Sequence, residues 1–193
     1  ELVDGDELLY IIAKHRLATG SADAGVVGTQ MSNLGLELAL REEGQQFVRA
    51  KVGDRFVKEM METHGWHLGG ESSGHIICSD VTTTGDGIVA SLQVLRALRD
   101  AEGADLAVLR AGMKKFPQTM INVRAAGKVN LAAYPEVDAA VAAVEEQLGS
   151  RGRVLLRPSG TEPVVRVMVE GEDDVEVRAL CEGLAADVER ILE

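Results

Sequence analysis

The sequence predicts an α/β protein: a mixed-sheet α/β domain followed by a smaller α+β domain with an open antiparallel sheet and helices on one side. Three observations carry this. Apolar runs of strand length alternate with stretches of helical apolar spacing through the first part of the chain. The order then becomes strand, helix, strand, strand, helix. Between the two parts, Met113-Lys114-Lys115-Phe116-Pro117 ends the helical pattern, which puts the domains at 1–112 and 113–193.

Asp6 is expected to cap a first helix carrying Leu8, Leu9, Ile11 and Ile12. A polar break at 20–24 precedes a buried strand at 25–29. Ser32 or Asn33 then caps a helix through Leu34, Leu38 and Leu40 that ends near Gly44. Residues 46–52 alternate apolar and polar, as a half-buried strand does. Asp54 opens a helix through Phe56, Val57 and Met60. Residues 66–68 form a strand, 69–74 a glycine-rich loop and 75–78 another strand. Thr83 or Thr84 opens a helix whose apolar stripe is Ile88, Leu92, Leu95 and Leu98. A short helix covers 106–109.

The second part begins with a strand at 118–124. Pro135 suits a helix first turn, and Val137, Val141, Val144 and Leu148 form that helix's stripe. Strands follow at 153–157 and 164–170. Asp173 or Asp174 caps the last helix, with Val177, Leu180, Leu184, Val188 and Ile191 on one face.

Composition narrows the function. With 193 residues, 46% hydrophobic and 26% charged, the chain reads as soluble and globular, not disordered. It has no apolar run long enough to span a membrane and no secretory leader pattern. The net charge of −11 and an aromatic content of 3% argue against nucleic-acid binding. Cys78 and Cys181 form no Cys-x-x-Cys pair, so they read as free buried thiols in a cytoplasmic protein, with a disulfide between them the open alternative. The chain opens on Glu1 rather than Met, which reads as a piece of something longer.

Four loops are candidates for chemistry. In Arg157-Pro158-Ser159-Gly160-Thr161-Glu162-Pro163, prolines fix entry and exit, and Gly160 lets backbone N–H groups turn inward toward an anion. Ser159 and Thr161 add hydroxyls and Arg157 a planar fork, with Arg151, Arg153 and Arg166 nearby in sequence. A tight self-capped hairpin is the plain alternative. In Gly69-Gly70-Glu71-Ser72-Ser73-Gly74-His75, the glycines admit a ligand to the backbone. Glu71 can accept from neighbouring sugar hydroxyls, Ser73 can donate or accept, and His75 can meet a phosphate or shuttle a proton. The plain alternative is a polar turn. In Lys51-Val52-Gly53-Asp54-Arg55, Lys51 and Arg55 can reach an anion, but Asp54 as a helix cap explains the stretch as well. Thr82-Thr83-Thr84-Gly85-Asp86-Gly87 reads as a cap without chemistry. His15, His64 and His67 show no metal-ligand spacing, and Asp4-Gly5-Asp6 reads as capping.

Taken together, the segments at 70–75, 82–88 and 157–163 resemble the phosphohexomutase superfamily. Met31-Ser32-Asn33-Leu34-Gly35-Leu36 and the 113–117 stretch look like the branch that isomerises glucosamine phosphates. The resemblance spans the whole chain in family order. It implies the third and fourth of four domains, beginning just downstream of the family's metal loop. The phosphorylated serine and the Mg²⁺ loop would then lie in N-terminal domains outside this chain, with no metal ligands here and no activity expected of this piece alone.

The resemblance implies a reaction between glucosamine 6-phosphate and glucosamine 1-phosphate through a bisphosphorylated sugar. It further implies sugar binding by Gly70, Glu71 and Ser73, and phosphate binding by Arg157, Ser159, Gly160 and Thr161. His75 and Lys51 would serve the reacting end. That branch commonly has Gln at the position of Ser72, which leaves open a mutase of glucose or mannose phosphates. A non-catalytic sugar-phosphate-binding module is the reading from another class.

Overall fold

A computed structural model describes residues 2–125, 127, 129–159 and 162–193. The chain divides into two compact units, 1–115 and 116–193.

In the first unit the elements are α1 (Gly5–Ala18), β1 (Gly25–Thr29), α2 (Leu34–Glu42), β2 (Gln46–Ala50), α3 (Asp54–His64), β3 (Leu68–Gly70), β4 (Ile76–Cys78), α4 (Gly87–Asp100) and α5 (Leu106–Arg110). The sheet order is β2-β1-β3-β4. The first three strands run parallel and β4 returns antiparallel to β3. Successive strand residues face opposite sides, so the sheet feeds two cores. Val26, Leu68 and Ile76 pack with Leu9, Ile12, Leu36 and Val94 on one side. Val27 and Ile77 pack with Val57, Met61 and Trp66 on the other. The three parallel strands end at one edge of the sheet, where an open α/β sheet places its ligand loops. The turns that follow β1, β2 and β3 lie there.

Several helix starts differ from the sequence reading. Asp4, not Asp6, caps α1: its carboxylate accepts from the N–H groups of Asp6 and Glu7. Glu7 reaches back to the Asp4 N–H at 2.9 Å, completing a capping box. Gly53, not Asp54, is the N-cap of α3. Asp86, not Thr83 or Thr84, caps α4 by accepting from Ile88 and Val89. β3 starts at Leu68 rather than at Trp66.

The largest correction is on α4. Ala90, Val94 and Ala97 are buried, while Ile88 is 75% exposed and Leu92 and Leu95 are exposed too. Leu98 alone of the expected stripe packs partly on the core. Both sets repeat at helical spacing, so periodicity cannot choose between them. Residue size misled: two alanines let α4 lie close against the sheet side, and the bulkier residues turn away.

The second unit holds β5 (Gln118–Arg124), α6 (Pro135–Leu148), β6 (Gly152–Pro158), β7 (Val164–Gly171) and α7 (Asp174–Leu192). Its sheet has the order β5-β7-β6, antiparallel throughout. Val165, Val167 and Val169 of β7 pack with Val137, Val144 and Leu148 of α6 and Val177, Leu184 and Val188 of α7. Both helices therefore cover one face. The alternate residues Arg166, Met168 and Glu170 face the other side, beside Arg157, Leu155 and Arg153 of β6. Cys78 and Cys181 are both free and buried.

Candidate functional site

Two loops of the first unit meet at the sheet edge. Gly70 ends β3, buried and paired with Ile76, so Glu71 to His75 form the turn into β4. The turn is closed by the Glu71 N–H donating to the His75 carbonyl and the Gly74 N–H donating to the Glu71 carbonyl. The Gly5 N–H at the start of α1 donates to the Ser72 carbonyl at 3.0 Å. The Ser73 side chain is left exposed.

The β2–α3 turn supplies the second loop. Gly53 sits at φ +125°, a conformation that L side chains rarely adopt, and this aims its N–H at the hairpin. That N–H donates to Glu71 Oε1 at 3.0 Å. One residue on, Asp54 Oδ2 lies 3.5 Å from His75 Nε2. Lys51 projects at the head of the same turn, exposed, with Nζ 5.9 Å from the Phe56 ring centroid.

A third segment completes the surroundings of His75. A Cβ on Gly85 would lie 2.2 Å from His75 Nε2, so only glycine leaves space for the ring. The 82–87 stretch, read from the sequence as a cap alone, thus also forms one wall of the imidazole site. Lys58 Nζ donates to the Thr83 carbonyl at 3.0 Å and ties this wall to α3. The 31–36 and 113–117 motifs meet as well: a Cβ on Gly35 would lie 1.9 Å from the Lys114 carbonyl oxygen.

Behind these loops, Asp6 is almost fully buried. Its Oδ2 accepts from the Asn33 N–H at 2.8 Å, while Oδ1 has no hydrogen-bond partner among the described residues. Burial pushes its pKa up to about 6. The Asn33 hydrogen bond opposes this, and the neighbouring Asp4 charge adds to it.

In the second unit the four nearby arginines divide into different roles. Arg151 pairs with Glu176 at 2.7 Å and Arg153 with the fully buried Glu170 at 2.6 Å. Arg157 and Arg166 instead face each other across the β6–β7 ladder. Each has a buried Nε with no hydrogen-bond partner among the described residues. Arg166 has a carboxylate at 3.5 Å, that of Glu162. Burial, reinforced by the Arg166 charge, lowers the pKa of Arg157. Like charges directly opposite on a sheet repel, and a buried guanidinium N–H needs an acceptor.

The hairpin leading out of this pair is closed by the Ser159 N–H donating to the Val164 carbonyl at 2.8 Å. The Glu162 N–H donates to Ser159 Oγ at 3.2 Å. That ladder bond occupies the Ser159 amide, so it cannot serve as an anion donor. Gly160 and Thr161 lie outside the described residues. Arg166 is the residue the loop motif alone underweights; strand register is what sets it beside Arg157.

The histidines outside these loops have ordinary neighbours. His15 pairs with Asp100, His67 with Asp23, and His64 stacks on Trp66. Among the described residues no group of three or more His, Cys, Asp or Glu side chains could hold a metal ion.

Comparison with known proteins agrees with this architecture. The family model described as phosphoglucomutase/phosphomannomutase, alpha/beta/alpha domain III, matches residues 4–116. That for the phosphoglucomutase/phosphomannomutase C-terminal domain matches residues 120–187. A phosphoglucosamine mutase of Cellvibrio japonicus is 58% identical over 192 residues, covering 100% of this chain and 43% of that protein. One of Aeromonas salmonicida is 60% identical over 189 residues, covering 97% and 42%. The chain thus spans less than half the length of these relatives. Among solved structures, Aspergillus fumigatus N-acetylphosphoglucosamine mutase, in complex with GlcNAc-6P and magnesium, aligns with a TM-score of 0.81 at 20% identity. That alignment covers 100% of this chain and 45% of the other. With both of its units matched in order, the chain belongs to the phosphoglucomutase/phosphomannomutase family.

Proposed function

We propose that this chain supplies the sugar-reading and phosphate-holding parts of a phosphoglucosamine mutase, which interconverts glucosamine 6-phosphate and glucosamine 1-phosphate. The observation that carries the reading is the Arg157–Arg166 pair, two facing arginines whose buried Nε atoms have no hydrogen-bond partner among the described residues, at the mouth of a hairpin. A phosphate monoester brings roughly −1.5 to −2 charges and three acceptor oxygens, which match that need. The names of the relatives at 58% and 60% identity supply the sugar.

The two units then divide the substrate, with residues 1–112 reading the sugar and 113–193 holding the phosphate that is not transferred. Arg157 and Arg166 hold that phosphate, with Ser159, Gly160 and Thr161 around it. Glu71 keeps one oxygen on the Gly53 N–H and turns the other to adjacent sugar hydroxyls. Gly70 and Ser73 flank it. His75 and Lys51 serve the reacting end, His75 as a proton carrier and Lys51 as a positive charge near the transferring phosphoryl group. Phosphoryl transfer depends on such positioning and charge more than on covalent help.

The phosphoserine and the Mg²⁺ loop belong, in this reading, to the part of the relatives that the chain does not span. The described residues offer no metal cluster. The partners are the sugar phosphate and those N-terminal domains, with neither nucleic acid nor membrane, and the place of action is the cytoplasm. No described helix is long and apolar enough to cross a membrane.

Titration with inorganic phosphate, glucose 6-phosphate and glucosamine 6-phosphate, followed by backbone amide NMR, tests the reading. All three are expected to shift residues 157–166, and the two sugars alone to shift 70–75. Arg157→Ala should lower phosphate affinity tenfold or more, since hydrogen bonds to charged groups contribute about 1.5–3 kcal/mol. Unchanged phosphate binding in that variant overturns the clamp. A stronger response to glucose 6-phosphate favours the phosphoglucomutase or phosphomannomutase alternative. Binding that survives intact in a whole protein lacking mutase activity favours the non-catalytic module.

A further inference from the structure

Asp54 has no part in the roles above. It is not the cap of α3, because Gly53 is, and it lies one residue beyond the amide that holds Glu71. Its Oδ1 accepts from the Arg55 N–H at 2.8 Å, which pins the carboxylate at the first turn of α3. Its Oδ2 lies 3.5 Å from His75 Nε2. That nitrogen is buried and has no hydrogen-bond partner among the described residues. The backbone of Gly85 closes the same side of the ring. The His75 side chain is nevertheless 39% exposed, so the exposure falls on the rest of the imidazole.

We propose that Asp54 is a positioning residue for His75: it holds the Nε2–H of the neutral ring inward, so that Nδ1 is the nitrogen presented to the sugar phosphate. This rests on the assignment of residues 70–75 to the sugar. A histidine's tautomer is set by the hydrogen bond that its other nitrogen makes, and Asp54 is the carboxylate within reach of Nε2. At 3.5 Å the contact is an ion-pair distance. Hydrogen bonds of this kind are often long in ligand-free structures and tighten in the substrate complex. The two residues of one turn therefore hold the two recognition side chains of the hairpin, Gly53 through Glu71 and Asp54 through His75.

The first readout needs no ligand. Long-range ¹H–¹⁵N spectra of His75, taken where its ring is neutral, should show a single Nε2–H tautomer in the unmodified chain. In Asp54→Ala the Nδ1–H form should rise about threefold or more. Arg55→Ala should leave the ring spectrum unchanged. The second readout is glucosamine 6-phosphate titration, in which Asp54→Ala should weaken binding roughly three- to tenfold, the size of one hydrogen bond, with inorganic phosphate binding unchanged. If Asp54 serves only the start of α3, its loss in Asp54→Ala would lower the melting temperature and leave the ring untouched. An identical tautomer ratio in a folded Asp54→Ala chain overturns the proposal. A changed ratio with no sugar response at 70–75 in either protein upholds the positioning and overturns the sugar assignment instead.

Discussion

In the first unit, Glu71 and His75 each lean on a residue of the 53–54 turn. In the second, Arg157 and Arg166 face one another on a sheet rung, their Nε atoms without a hydrogen-bond partner among the described residues. Glu71 of the first unit is thus already held by a backbone N–H, whereas the two arginines of the second stand as like charges side by side, with the Glu162 carboxylate 3.5 Å from Arg166. Preorganised groups favour orientation and discrimination; unsatisfied like charges favour affinity. The proposed function calls for both, since a sugar's hydroxyls are neutral and numerous and a phosphate is charged and singular.

The sharpest way to break this contrast lies within the second sheet. Arg153 and Glu170 stand opposite each other four residues away from Arg157 and Arg166, on the same ladder. Glu170 is fully buried and the Arg153 side chain only 18% exposed, so Glu170→Ala leaves a largely buried guanidinium without this carboxylate. That should cost about 3–5 kcal/mol. Arg157→Ala, which removes a repelled charge, should instead leave stability within about 0.5 kcal/mol of the original or raise it. Urea unfolding of the two variants checks both. Equal destabilisation would mean that Arg157 is a structural residue and not a waiting anion ligand.

A smaller effect concerns a charge held at a cost in the first unit. The pKa of Asp6 is raised by burial from the usual carboxylate value of 3.8 to about 6. A raised carboxyl pKa means that the folded chain holds the proton more tightly than the unfolded one. Its contribution is therefore full below pH 3.8 and is lost as pH rises through about 6. Asp6→Asn removes this titration. The stability difference, original minus Asp6→Asn, should fall by roughly 2–3 kcal/mol between pH 4 and 7, at about 1.4 kcal/mol per pKa unit. Melting curves across that range provide the measurement, and a difference independent of pH would show that Asp6 titrates normally. Taking the difference cancels the opposite slopes of Asp100 and Glu176, whose pKa values are lowered by His15 and Arg151 respectively.

The order of strands and helices was legible from apolar spacing and turn residues, and β5 at 118–124 needed no correction. Helix starts were less legible where two acids or several threonines competed for one cap. Asp4 wins over Asp6 because the Glu7 side chain closes the box, a spacing visible in the sequence. On α4, two stripes shared one period and only tertiary packing could select the smaller residues. The candidate loops were legible as motifs, but their partners were not. The contacts of Gly85 with His75 and of Gly53 with Glu71 join residues far apart in sequence. The Arg157–Arg166 pairing is a matter of register, which fixes the face of every side chain on the strand and cannot be read from either residue alone.

The finest test of the contrast separates recognition from stability at Glu71. Glu71→Gln keeps an oxygen to accept the Gly53 N–H, so the hairpin should hold its shape and the unfolding free energy should change by less than about 0.5 kcal/mol. What it loses is the second carboxylate oxygen, replaced by an amide nitrogen that can only donate. A sugar hydroxyl that donates to that oxygen then meets a donor, and glucosamine 6-phosphate affinity should fall roughly tenfold, by the asymmetry between a made and a mismatched hydrogen bond. Inorganic phosphate affinity at Arg157 should not move, because phosphate alone has no hydroxyl for Glu71 to read. If phosphate and sugar phosphate weaken together, the two loops do not divide the ligand between them, and orientation and affinity must come from one place.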